Sequence, residues 1–189
     1  MPEILDTFDK YGNKTGVIQK GQNTNDFVMC CSCFVINSKK QVLIEKRGNT
    51  VLDPGKLDLC SGHVQAGELP IQGMARELNE ELGIDENESR NLKKLGRVLL
   101  DFKKIGGDFR CITDVFLLRR NKETLELQDE EVKGIEYYDL KDVINLIRNG
   151  QTRLPYDKEN SNYFEEIFKK LEEELGIKTK KENKNIMEK

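Results

Sequence analysis

Histidine is nearly absent from this 189-residue chain: His63 is the only one. A metal site built from several histidines is therefore excluded. There is no apolar run near the ~18 residues of a membrane helix, and Met1-Pro2-Glu3 does not open like a secretory signal. Charge of one sign is also missing, with 31 basic against 34 acidic residues and a net charge of −3. A dedicated binder of nucleic-acid polymers would carry a clear basic excess. Five cysteines is an odd count without disulfide-like spacing, which fits a reducing cytoplasm. The chain has no internal repeat and no Pro- or Ser-rich linker, and its length suits one domain with short elaborations.

What is present reads as an α/β chain with its strands mostly first. Residues 4–8 and 15–18 flank the turn-rich Asp9-Lys10-Tyr11-Gly12-Asn13, a hairpin signal, so 1–25 is expected to form an N-terminal hairpin extension. Val28 to Ile36 is a β-branched, cysteine-rich run expected to be buried on both faces. It would form a second hairpin with Val42-Leu43-Ile44. Further strands are expected at Leu57 to Cys60, Gly96 to Lys103, Phe109 to Arg119 and Val132 to Tyr138. Helices are expected from Leu140 to Ile147 and from Asn162 to Leu175. The main domain is thus 26–176, and the lysine-rich 177–189 reads as a solvated tail.

The informative stretch is Gly62 to Ile84. Pro70 suits the first position of a helix and Gly83 its end. Between them Ile71, Met74, Ala75, Leu78 and Leu82 form one apolar face. Glu77, Glu80 and Glu81 fall in a sector of about 100° centred well away from it. Like charges at i,i+3 and i,i+4 cost ~0.2–0.5 kcal/mol per pair, which points to a cation over them. Mg²⁺ takes oxygen ligands and leaves positions for water and phosphate. Arg76 is a permanently charged fork able to orient a carboxylate. Gly62 and Gly67 bracket a loop that needs positive φ or close backbone approach.

Gly62, Glu68, Arg76-Glu77, Leu78, Glu80-Glu81 and Gly83-Ile84 stand at the spacing of the Nudix box, nine defined positions over 23 residues. In this stretch the chain resembles the Nudix hydrolases. The resemblance implies an α/β (α+β) fold, a mixed β-sheet sandwiched between helices. It also implies hydrolysis of a nucleoside diphosphate linked to another group. Glu77, Glu80 and Glu81 would be the Mg²⁺ (or Mn²⁺) ligands and, with Arg76, the catalytic set, and Gly62 is placed at the metal with them. Arg76 would hold Glu77, and Glu68 would support the loop or an outer-sphere metal. The general base is left between the box and Asp108, Asp114, Glu130 or Glu131.

Type I isopentenyl diphosphate isomerase, a branch of the same superfamily, is an alternative suggested by the first hairpin and by Gly62-His63. That enzyme needs a cysteine immediately before its Gly-His, where this chain has Ser61, and a three-histidine metal site. A non-catalytic nucleotide sensor is the other alternative, disfavoured by the complete set of box carboxylates. His63, Glu68, Lys46 and Arg47 are candidate substrate contacts. Phe102, Phe109, Tyr137 and Tyr138 are either core or a stacking platform. Cys30, Cys31 and Cys33 read as small buried hydrophobes, with Cys60 and Cys111 standing alone. The partner is a small diphosphate compound, chosen by 48–56, 105–110 and the last helix. A homodimer fits the apolar residues of the first hairpin and that helix.

Overall fold

The computed structural model describes residues 2–49, 53–107, 109–122, 124–128 and 130–177. Asp108, residues 50–52 of the 48–56 loop and the tail from 178 onward, on which expectations above rest, lie outside them. Among the described residues one mixed sheet holds β1 (Ile4–Phe8), β2 (Lys14–Gln19), β3 (Phe27–Ile36), β4 (Gln41–Arg47), β5 (Leu57–Asp58), β6 (Cys60–His63), β7 (Lys93–Asp101), β8 (Arg110–Arg119) and β9 (Val132–Asp139). The helices are α1 (Pro70–Leu82), the single turn α2 (Glu86–Ser89), α3 (Leu140–Arg148) and α4 (Ser161–Leu175).

β3 organises the sheet. Along one edge it runs parallel to β8 in unbroken register, Phe27 opposite Arg110 through Ile36 opposite Arg119. Its other edge is shared by three strands in turn: β1 at Phe27 and Val28, β6 from Cys30 to Cys33, and β4 at Ile36. Paired on both edges and covered on both faces, it is buried from Val28 onward, as its composition implies. Side chains alternate, so Val28, Cys30, Phe34 and Ile36 join one core and Met29, Cys31, Cys33 and Val35 the other. Val143, Ile144 and Ile147 of α3 and Phe164, Ile167, Phe168 and Leu171 of α4 cover the first face. Met74, Leu78 and Leu82 of α1 cover the second. The result is the expected helix–sheet–helix sandwich.

Three local expectations are corrected. β3 and β4 do not form an extended hairpin, since their pairing stops at Ile36 opposite Val42. The next positions on that edge of β3 belong to β6 and β1, so β4 pairs with β9 along its length instead. The segment Leu57 to Cys60 is two strands: β5 pairs with β4 and β6 with β3, with Leu59 between. Last, β7 starts at Lys93 and stops at Asp101, whose carboxylate accepts from the Lys103 amide at 3.1 Å and caps a 3₁₀ turn, Phe102–Ile105. The first hairpin forms as expected, around Asp9 and Gly12 at φ 87°. It joins the sheet through β1, and Leu5 enters the core.

Candidate active site

The α1 helix starts at Pro70 and ends at Gly83 in the left-handed region, with the Gly83 amide donating to the Asn79 carbonyl. Met74, Leu78 and Leu82 have no exposed surface, whereas Ile71, expected on the same face, is 45% exposed in the first turn of the helix. Glu77 and Glu81 do not face open solvent either, being only 8% and 5% exposed. Glu77 is buried against β6. A Cβ on Gly62 would lie 2.0 Å from its carboxyl carbon, so Gly62 is there for close approach. Gly67 is there for its φ of 80°.

Arg76 ties this loop and helix together. Its Nη1 donates to Glu77 Oε1 at 2.8 Å and to Glu80 Oε2 at 2.9 Å. Its Nη2 donates to the His63 carbonyl at 2.8 Å, and its Nε to Glu68 Oε1 at 3.3 Å. The other Glu68 oxygen accepts from the Gln65 amide at 2.9 Å, closing the loop before the helix. Glu80 is turned outward onto Arg76, with its side chain 51% exposed.

Glu77 and Glu81 open onto a cavity of about 340 Å³. Its basic wall is Lys20, Arg47 and Arg153, and its apolar wall is Leu100, Phe102, Phe109 and Leu154, with Cys30 and Cys111. Phe102 and Phe109 stack at 4.7 Å, and the Arg153 guanidinium lies over the Phe102 ring at 4.8 Å. Asp58, fully buried, accepts from Arg47 at 3.2 Å and has Arg153 at 3.9 Å. Burial pushes the Glu77 carboxyl up to about 7 against the opposing pull of Arg76. Glu81 is pushed to about 8, first by burial and then by the charge of Glu77 and Asp58. Glu45, behind it, is raised well above the usual carboxylate range by burial and by Glu81.

Of the residues singled out from sequence, Gly62, His63, Arg47, Glu77, Glu81 and Glu131 line the cavity. Arg76 and Glu68 position them. Lys46 points to solvent, on the opposite side of β4 from the buried Glu45. Asp114 is buried on β8 and held by Arg97 at 3.0 Å, away from the cavity, and Glu130 is exposed. Phe102 and Phe109 reach the cavity, whereas Tyr137 and Tyr138 pack elsewhere. Lys20, Asp58, Arg153 and Glu45 were not singled out. For Glu45 and Asp58 a signal existed, a carboxylate inside a short apolar strand, where an unpaired charge is not tolerated. Arg153 and Lys20 sit in segments without a pattern.

The donor set fits a hard divalent cation. Glu77 and Glu81 are buried carboxylates on one helix face, Glu81 Oε2 has no hydrogen-bond donor among the described residues, and Gly62 lets the Glu77 carboxylate pack directly against β6.

A NUDIX domain model matches residues 27–158. Nudix hydrolase 3 of Arabidopsis thaliana is 29% identical over 167 residues, which cover 82% of this chain and 22% of that protein. The chain thus spans about a fifth of that relative's length. An isopentenyl-diphosphate Delta-isomerase of Corynebacterium diphtheriae is 27% identical over 157 residues, 78% of this chain and 84% of that one. Among solved structures, a Deinococcus radiodurans protein superposes with a TM-score of 0.64 at 23% identity, covering 79% of this chain and 91% of its own. With the family model spanning most of the sheet, α1 and its glutamates, the chain belongs to the Nudix family, whose members are in general pyrophosphohydrolases.

Proposed function

We propose that this chain is a divalent-cation-dependent pyrophosphohydrolase. It cleaves the diphosphate linkage of a nucleoside diphosphate joined to a second group, by water attack at phosphorus. The observation that carries this reading is the cavity itself: buried Glu77 and Glu81 face the same 340 Å³ space as Arg47, Arg153 and Lys20. Mg²⁺ or Mn²⁺, held by Glu77, Glu81 and the Gly62 backbone with Glu80 beside them, would polarise a phosphoryl oxygen and activate a water. Arg76 keeps Glu77 in place through the 2.8 Å bond, so its carboxylate need not reorganise during the reaction. Arg47, Arg153 and Lys20 bind the diphosphate oxygens, and His63 stands at the same wall. The stacked Phe102 and Phe109, with Leu100 and Leu154, receive the base or the second group. The proton of the attacking water passes to a carboxylate of the cavity wall, Glu81 or Glu131.

The test is a screen for release of a nucleoside monophosphate from diphosphate compounds, with Glu81→Gln beside the wild type. Turnover on one compound class should fall at least ~10²-fold in the mutant, with its circular dichroism unchanged. A mutant as active as the wild type overturns the mechanism.

A second reading, isomerisation of isopentenyl diphosphate, is favoured by the Corynebacterium relative and by the apolar wall of the cavity. Ser61 before Gly62-His63 and the single histidine weigh against it. Hydrogen exchange from solvent into isopentenyl diphosphate would support it.

A further inference from the structure

Behind the cavity wall, three acidic groups from three elements meet. Glu45 of β4, Cys60 of β6 and Glu81 of α1 each offer a ligand atom within 4.8 Å of the others, and all three are buried, at 3%, 0% and 5% exposure. They converge because β5 hands over to β6 at Leu59. Up to Asp58 the chain pairs with Glu45, and from Cys60 onward it pairs with β3. Glu81 reaches them from the helix that covers this face of the sheet.

The cluster is short of donors. The Cys60 thiol lies within 4.8 Å of a carboxylate oxygen of both Glu45 and Glu81, and its one S–H proton can serve only one of them at a time. Glu45 Oε1 and Glu81 Oε2 are buried with no hydrogen-bond partner among the described residues. Arg47 acts on Glu45 from a distance while it engages Asp58 at 3.2 Å. Two orphaned carboxylate oxygens around a thiol, in a dry interior, are expensive unless something positive sits between them.

We propose that Glu45, Cys60 and Glu81 form a second cation site, adjoining the hard-ion site and sharing Glu81 with it, that takes a thiophilic first-row divalent cation such as Zn²⁺. A thiolate with two carboxylates suits Zn²⁺, Fe²⁺ or Co²⁺, while Mg²⁺ takes oxygen ligands only. Bond lengths of ~2.0–2.3 Å place ligand atoms about 3.5 Å apart around one ion, within the spread of this cluster. Binding releases the thiol proton, and any proton shared by the carboxylates, to solvent. Glu81, which also lines the cavity, is common to both sites. The proposal stands without the diphosphatase reading, since its test involves no turnover.

The test is Co²⁺ titration of the reduced, full-length, metal-free protein, followed by the near-ultraviolet thiolate-to-cobalt absorption. One Co²⁺ per chain should develop that band in the presence of excess Mg²⁺. Cys60→Ser should lose it, Cys33→Ser, at a buried cysteine outside the cluster, should keep it, and Glu45→Gln should weaken Co²⁺ binding at least about tenfold. A second measurement needs no variant: Zn²⁺ should slow alkylation of Cys60 in the wild-type protein under mild denaturation, relative to the other four cysteines. No thiolate band, a band that survives Cys60→Ser, or equal alkylation with and without Zn²⁺ overturns the proposal.

Discussion

Gly62 and Glu77 are packed so closely that a methyl group on the glycine would sit 2.0 Å from the carboxyl carbon and 2.1 Å from Oε1 of the glutamate. Space at this point is taken by a carboxylate, and we propose the glycine as a positioning residue for it. Gly62→Ala should displace Glu77 and lower kcat by about 10²-fold, the scale of losing one preorganised electrostatic group. Gly67→Ala, where φ is 80° and no atom crowds the site, should cost about 1 kcal/mol of stability and leave kcat within a few-fold. Equal kinetics for the two alanine variants would remove this role from Gly62.

Arg76 serves three carboxylates and a carbonyl with one planar fork. Lysine keeps the charge but not the fork. Arg76→Lys should lower kcat/KM by roughly 10–100-fold, as loss of an outer partner of a metal ligand does, and should lower the thermal midpoint. Metal affinity, measured by calorimetry, should fall in parallel. Unchanged affinity would show that Glu77 holds its place without the arginine.

The pH dependence follows from Glu77 and Glu81, whose carboxyls titrate at about 7 and about 8 in the metal-free fold, against an ordinary value of 4.5. Between pH 4.5 and 8 the folded chain therefore holds more protons than the unfolded chain. Stability of the metal-free protein should fall as pH rises through this window. The loss should be on the order of a few kcal/mol, read as urea midpoints at several pH values. Cation binding runs the other way, because the ion replaces these protons and should tighten from pH 6 to pH 8. A metal-free stability that rises with pH across the window would contradict the burial of these two acids.

Arg153 reaches the cavity from a segment far along the chain and is the second cation near Asp58, at 3.9 Å against 3.2 Å for Arg47. Arg153→Met keeps the length and removes the charge. KM for the diphosphate substrate should rise about tenfold, the loss of one charge-assisted contact, with kcat within a factor of two. Stability should change little, since Arg47 still pairs with Asp58. A large fall in kcat with KM unchanged would move Arg153 from binding to the chemical step.

The parts of this molecule that sequence alone specifies are those whose causes lie within a few residues. Pro70 and Gly83 bound α1 because caps act within one turn. Met74, Leu78 and Leu82 mark its buried face because the helical period is local, and Glu68, Arg76, Glu77 and Glu81 stand at spacings that place them in one site. The alternation in β3 likewise follows from the strand period, and both of its faces are buried as its composition implies. The partners of each strand are another matter. Whether β4 pairs with β3 or with β9 depends on which edges β1 and β6 already occupy, a fact spread over more than a hundred residues. The same non-local choice splits Leu57 to Cys60, buries Glu45 beside Cys60 and Glu81, and brings Lys20 and Arg153 to the cavity. Burial of a charge is a property of everything packed around it. Only the assembled sheet and its helices decide which acids in this chain face water and which face one another.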